Sequence, residues 1–186
     1  MIEHNGKLYA RVSDIICPFA GYGNVDPLVL ANKARIGTEV HKAINDEIND
    51  EFPIMAKDCE GYFNSYVKWK ETVKPKFLRT EERFFCDKLR VTGQIDALIT
   101  IPDHIDNPFL LDFKTSVKAN PVTWPMQAHL YKYLLGENGV DVNTALFIKL
   151  NRWGGIAEET FYPYDQAVMD KCFEAVNSFW RKLEKA

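Results

Sequence analysis

The sequence has no apolar run near the roughly 18–20 residues that a membrane-spanning helix needs. Its first residues, MIEHNGKLYARVSDII, lack the charged-then-apolar order of a secretory leader. Both lacks describe a soluble, cytoplasmic protein with no membrane partner. Cysteine is sparse: Cys17, Cys59, Cys86 and Cys172 lie far apart, and none belongs to a C-x-x-C pair. That argues against a structural zinc site or a disulfide scaffold and describes reduced, mostly buried thiols. No G-x-x-x-x-G-K-[ST] occurs, so the chain carries no P-loop motor, and no H-E-x-x-H occurs, which weakens a metallohydrolase of that class. Internal repeats and low-complexity linkers are also missing. Basic residues do not exceed acidic ones: 23 Lys and Arg against 26 Asp and Glu give a net charge of −3. Such a surface does not coat nucleic acid non-specifically, although a local basic patch remains compatible with it.

What is present is core material. Of 186 residues, 46% are hydrophobic and 13% aromatic, enough for one globular domain over residues 1–186. The first thirty residues, with Pro18, Gly21, Gly23 and Pro27, read as a short leading element and an irregular loop. Val40, Ile44 and Ile48 recur every four residues and predict a helix over about 31–49. Cys59, Tyr62, Tyr66 and Trp69 trace the stripe of a second helix over about 56–73, ended by Pro75. RFFCDKLRVTGQIDALITI holds two β-rich runs joined around Asp87 and Lys88. PDHIDNP reads as a turn, FLLDFKTS as a third strand. Pro121 and Pro125 bracket the start of a helix reaching about Leu135. TALFIKLN and IAEETFY are two more strands across a glycine turn, and a last helix spans about 166–184. The fold class is α/β: a central mixed sheet of about five strands flanked by helices.

Within FLLDFKTS, side-chain alternation turns Asp112 and Lys114 to one side and Leu111 and Phe113 to the other. Charges that enter a sheet need partners. Asp96 lies in the preceding strand, and strands adjacent in sequence usually pair, so Asp96 and Asp112 can converge at one edge. Two carboxylates that close repel unless a cation sits between them, and a hard ion such as Mg²⁺ or Mn²⁺ suits oxygen ligands. The plainer alternative is an Asp–Lys pair on a solvent-facing strand. His41 lies four residues after Gly37 on the first helix. Gln127 and Tyr131 share a face of the helix after the third strand, with His129 turned away. A basic stretch, Lys68, Lys70, Lys74, Lys76 and Arg79 around Trp69, is either a solvated helix face or a phosphate-tracking flank.

In this order, G-x-x-x-H (Gly37 to His41), G-x-x-D (Gly93 to Asp96), D-x-K-T (Asp112 to Thr115) and Q-x-x-x-Y (Gln127 to Tyr131) resemble the RecB-like branch of the PD-(D/E)XK nuclease superfamily, over roughly residues 13–150. The resemblance implies a divalent-metal DNA exonuclease using Mg²⁺ or Mn²⁺. It implies metal ligation by His41, Asp96, Asp112 and the Phe113 carbonyl, with Lys114 acting on the attacking water and the developing charge. Gln127 and Tyr131 take the place of an accessory motif near the DNA, with Thr115 beside the lysine. The family often adds a glutamate on its first strand; Glu81 and Glu82 compete for that position, Glu81 being preferred. Some relatives hold an iron–sulfur cluster through one early and three late cysteines. Only Cys172 follows the core here, so no cluster is expected. The implied partners are DNA, entered by an end or as a single strand, and a helicase or recombinase in repair or recombination, of phage or cellular type. Competing readings are a catalytically silent DNA- or protein-binding module on the same fold, and a nuclease subunit of a larger complex.

Overall fold

The computed structural model describes residues 1–185 except Tyr22, Asn24, Asp103 and Asn143, and omits the side chains of residues 104–107. Among the described residues, nine strands and five α-helices form two sheets and their covering layers. The larger sheet contains β3 (Lys76–Thr80), β6 (Ala97–Ile101), β7 (His104–Lys114), β8 (Ala145–Lys149) and β9 (Glu158–Tyr162), in that order. It is mixed: β7 and β8 are parallel and the other neighbours antiparallel. A parallel pair needs a crossover, which α4 (Thr123–Glu137) supplies. The smaller sheet runs β1 (Ile2–His4), β2 (Lys7–Arg11), β5 (Val91–Gln94), β4 (Arg83–Cys86).

Alternation along the strands divides the core in two. Leu111, Phe113, Leu146 and Ile148 pack with Val40 and Ile44 of α2 (Pro27–Ile48) and with Tyr62, Tyr66 and Trp69 of α3 (Glu60–Val73). Leu98, Leu110, Ala145 and Phe147 face the opposite layer, made by α4, α5 (Gln166–Leu183) and α1 (Val12–Ile16). The stripe expected for α3 is buried at Tyr62, Tyr66 and Trp69; on α5, Cys172 and Val176 are buried, Val168 and Phe179 partly so, and Leu183 is exposed. His129 locks the two helices of that layer. Its Nδ1 is 2.7 Å from the Pro125 carbonyl, and its Nε2 accepts the Asp165 N–H at the start of α5 at 2.8 Å.

Four features differ from the sequence-based expectation. Within the leading thirty residues, 2–19 form the β1–β2 hairpin, α1 and a 3₁₀ turn at Cys17–Phe19, and α2 begins at Pro27. The segment after Pro75 is strand β3, where the sequence pattern assigns no strand. PDHIDNP is mostly strand, because β7 begins at His104; Asp103 lies outside the described residues. The run 91–101 is two strands. Its ladder with 76–86 continues through Glu81 N–H to the Asp96 carbonyl and Ile95 N–H to the Glu82 carbonyl, each 3.0 Å, yet the two halves join different sheets. The paired chains bend there, and Glu81 takes φ 49°, a left-handed value that costs a non-glycine residue. No cysteine is paired: Cys59, Cys86 and Cys172 are buried, and Cys17 is exposed.

Candidate active site

The bend places two carboxylates face to face. Glu81 and Asp96 occupy the points where the chain leaves one sheet for the other, so their side chains project into the gap between sheets. α2 closes one side of this gap and brings His41, whose Nδ1 lies 3.1 Å from Asp96 Oδ1. Among the described residues, His41, Glu81 and Asp96 are the one set of three whose ligand atoms lie within 4.8 Å of one another. Asp96 Oδ2 accepts the Phe113 N–H at 2.6 Å, which ties this cluster to the end of β7.

Asp112 and Lys114 share the α4 side of β7, as alternation requires. Asp112 is 2% exposed. Its Oδ1 lies 2.6 Å from Lys114 Nζ, its Oδ2 accepts from Gln127 Nε2 at 2.9 Å, and Gln127 Oε1 accepts from Lys114 Nζ at 2.7 Å. The Lys114–Asp112 contact is a buried ion pair, with Gln127 joined to both partners. The Lys114 ammonium rests 4.7 Å from the Phe147 ring centre, with Trp124 at 5.9 Å. An apolar floor of this kind strengthens charge interactions above it.

The remaining partners explain the spacing of the sequence motifs. A Cβ on Gly93 would meet the Tyr131 ring at 2.4 Å, so the glycine two residues before Ile95 is needed for Tyr131 to sit where it does. Tyr131 is 9% exposed, and burial raises its phenol pKa. Thr115 stands across from Gly37, at 3.6 Å from the Cβ that Gly37 lacks. The ring of Phe113 is core, edge-on to Tyr66 and Trp69. Gln94 was not singled out from sequence. It donates to Glu81 Oε2 at 2.5 Å and accepts from Arg83 at 2.6 Å, so it fixes the glutamate in the gap. The signal available was its alternation in phase with Asp96. Glu82, the rival to Glu81, turns out to Arg79 at 3.4 Å.

The electrostatics follow from crowding. Burial pushes the Asp112 carboxyl up to about 6, Lys114 opposing and Asp96 adding to the rise. Burial also raises Glu81, with Asp96 adding to it. Burial alone would raise Asp96, but His41, Lys114 and the Phe113 N–H outweigh it and hold that carboxyl low. For His41, burial is outweighed by Asp96 and Asp112, which raise the imidazole to about 9. The side chains of His41 and Asp96 keep 28% and 14% exposure, through an open cleft of about 1040 Å³. That cleft is lined by the whole set, His41, Glu81, Gln94, Asp96, Asp112, Lys114, Thr115, Gln127 and Tyr131, together with Trp124 and residues of α1 and α2.

The donor set fits a hard divalent cation. It offers carboxylate oxygens and one imidazole within 4.8 Å of one another, and excess negative charge. The geometric group contains Glu81, whereas Asp112 stands beside it, turned to Lys114 and Gln127.

Part of the basic stretch that runs from α3 into β3 is paired within the protein, while Lys74 and Lys76 are exposed. Lys68 donates to the Gly154 carbonyl at 2.5 Å, Lys70 pairs with Glu47 at 2.7 Å and Arg79 with Glu82. Trp69 is 5% exposed and donates to Glu159 at 2.8 Å, so it is a core residue and not a stacking surface.

A family model described as the PD-(D/E)XK nuclease superfamily matches residues 30–186. Among solved structures, the chain is similar to an alkaline exonuclease (LHK-Exo) from Laribacter hongkongensis, with a TM-score of 0.54 at 12% identity, covering 95% of this chain and 88% of that one. The structure of LHK-Exo in complex with dAMP matches with a TM-score of 0.52 at 13% identity, covering 95% and 88%. Identities so low speak for a shared fold alone. No curated protein matches the sequence.

Proposed function

The chain belongs to the PD-(D/E)XK nuclease superfamily, and from that premise we propose that it is a divalent-metal-dependent DNA exonuclease. The observation that carries the reading is the meeting, in one open cleft, of the His41–Glu81–Asp96 cluster with the Asp112–Lys114–Gln127 triangle. His41, Asp96 and Asp112, with Glu81, are the residues that would hold Mg²⁺ or Mn²⁺. Such an ion, when bound, supplies Lewis-acid polarisation of the phosphate and a more acidic water.

The protein groups do the rest of the positioning. Asp112 and Gln127 aim the Lys114 ammonium into the cleft from two sides, which fixes a positive group where negative charge grows on the phosphate oxygens. The apolar ring of Phe147 beneath it limits competing solvation. Asp96 is oriented twice, by His41 and by the Phe113 N–H, and Gln94 orients Glu81. These anchors lower the reorganisation required during the reaction. Tyr131 and Thr115 shape the cleft wall.

Dependence on an end is supported by the RecB-like motifs. The alkaline exonuclease activity named for the structural neighbour agrees with it. A helicase or recombinase would supply such ends in repair or recombination. The test compares a covalently closed single-stranded circle with a linear strand of the same sequence, with Mn²⁺ present. The linear strand is expected to be degraded and the circle spared. Equal rates on both would overturn the requirement for an end.

A further inference from the structure

The turn between β8 and β9 is built to hold one exposed indole. Trp153 is 81% exposed, unlike Trp69 and Trp124, which are both 5% exposed. It is not on a loose loop. Asn151 N–H donates to Ser65 Oγ at 2.9 Å, Trp153 N–H to Asn151 Oδ1 at 2.8 Å, and Lys68 holds the Gly154 carbonyl. Gly154 turns the chain at φ 74°. Gly61 of α3 lets the turn approach so closely that a Cβ there would lie 1.8 Å from the Arg152 carbonyl oxygen. Helix, turn and strand are therefore packed backbone to backbone, and the product of that packing is an unburied tryptophan. The Arg152 guanidinium lies 4.4 Å from the Trp153 ring centre, and among the described residues no carboxylate forms an ion pair with it.

The position of the turn decides its partner. β7 and β8 are parallel with Lys114 opposite Lys149, and the Leu150 N–H donates to the Lys114 carbonyl at 2.8 Å. The turn thus begins one residue past the level of Lys114, at the same carboxyl end of the sheet as the cleft. We propose that Arg152 and Trp153 form a stacking platform for an unpaired base of the DNA strand whose backbone lies in the cleft. An aromatic face accepts any base, and a guanidinium beside it meets the adjoining phosphate, so the platform grips a single strand without reading sequence. The choice of DNA as occupant rests on the nuclease reading above. Fixing the ring in advance lowers the ordering cost of binding.

The test measures binding in EDTA, so that no strand is cut and the result does not depend on catalysis. Labelled oligothymidylate and an abasic strand of equal length are titrated with the protein, and affinity is read by fluorescence anisotropy. The wild type is expected to prefer the strand with bases by about tenfold, the scale of one stacked base. Trp153→Ala should lose most of that preference, and Trp153→Phe should recover it. Thermal melting confirms that each variant is folded. No preference in the wild type, or the same preference in Trp153→Ala, would overturn the platform. Failure of the nuclease reading would show separately, as intact DNA after incubation with Mn²⁺.

Discussion

Glu81 and His41 bear the conflict between folding and function most directly. Glu81 combines a left-handed backbone, φ 49°, with a half-buried carboxylate aimed at Asp96, and neither feature helps the fold. Glu81→Gly should therefore raise metal-free stability, by up to about 1 kcal/mol from the relieved φ, while Mn²⁺ affinity falls by roughly tenfold or more. Chemical denaturation and calorimetry check the two signs; a parallel loss of both would mean that Glu81 holds the bend together. His41 behaves differently. Its imidazole is raised from 6.5 to about 9, so its contribution to stability is full below pH 6.5 and is lost as pH rises through about 9. A metal ion takes only the neutral ring. Near pH 7.5 the folded, metal-free protein holds this proton, and Mn²⁺ binding should release about one. Calorimetric heats should then vary with the ionisation enthalpy of the buffer. Heats independent of buffer would remove His41 from the ion.

Glycines decide how elements approach. Gly93 admits the Tyr131 ring and Gly61 admits the Arg152 backbone, whereas at Gly37 a Cβ would find ordinary contact with Thr115. Gly61→Ala and Gly93→Ala should each cost about 1–3 kcal/mol, with Gly61 the worse, because backbone cannot rotate away as a side chain can. Gly37→Ala should be neutral or stabilise α2 by up to about 1 kcal/mol, the helix propensity gained. Urea denaturation of the three variants gives the order. The same elements show what the sequence made legible. α2, α3 and α5 announce themselves because each buries one stripe, α4 through Pro121 and Pro125 at its start although it is buried on most sides, and Asp112 and Lys114 because strand alternation is strict. The β1–β2 hairpin and β3 are three to five residues long, carry exposed charged residues and show little alternation. The split at Ile95–Asp96 has no Gly or Pro to mark it; the bend is set by which sheet each half joins. For the same reason Glu81 and Glu82 could not be separated locally, since only the direction of the bend turns one inward.

At the scale of the whole molecule, a protein with net charge −3 is read as acting on a polyanion. The cations of α3 and β3 resolve that tension only in part, because Lys68, Lys70 and Arg79 are paired with other groups of the protein. Under the proposed function, neutralisation falls to the cleft, through Lys114 and a divalent ion, and to Arg152 on the turn between β8 and β9. The most direct test incubates linear DNA with the wild type and with Lys114→Ala, each with Mn²⁺ and with EDTA, beside a calorimetric Mn²⁺ titration of both proteins. The expected result is cleavage by the wild type with Mn²⁺ alone, and a loss on the order of 10²- to 10³-fold in Lys114→Ala at nearly unchanged Mn²⁺ affinity. Cleavage that survives EDTA, or a Lys114→Ala protein that cuts at the wild-type rate, would contradict a metal-dependent nuclease site in this cleft.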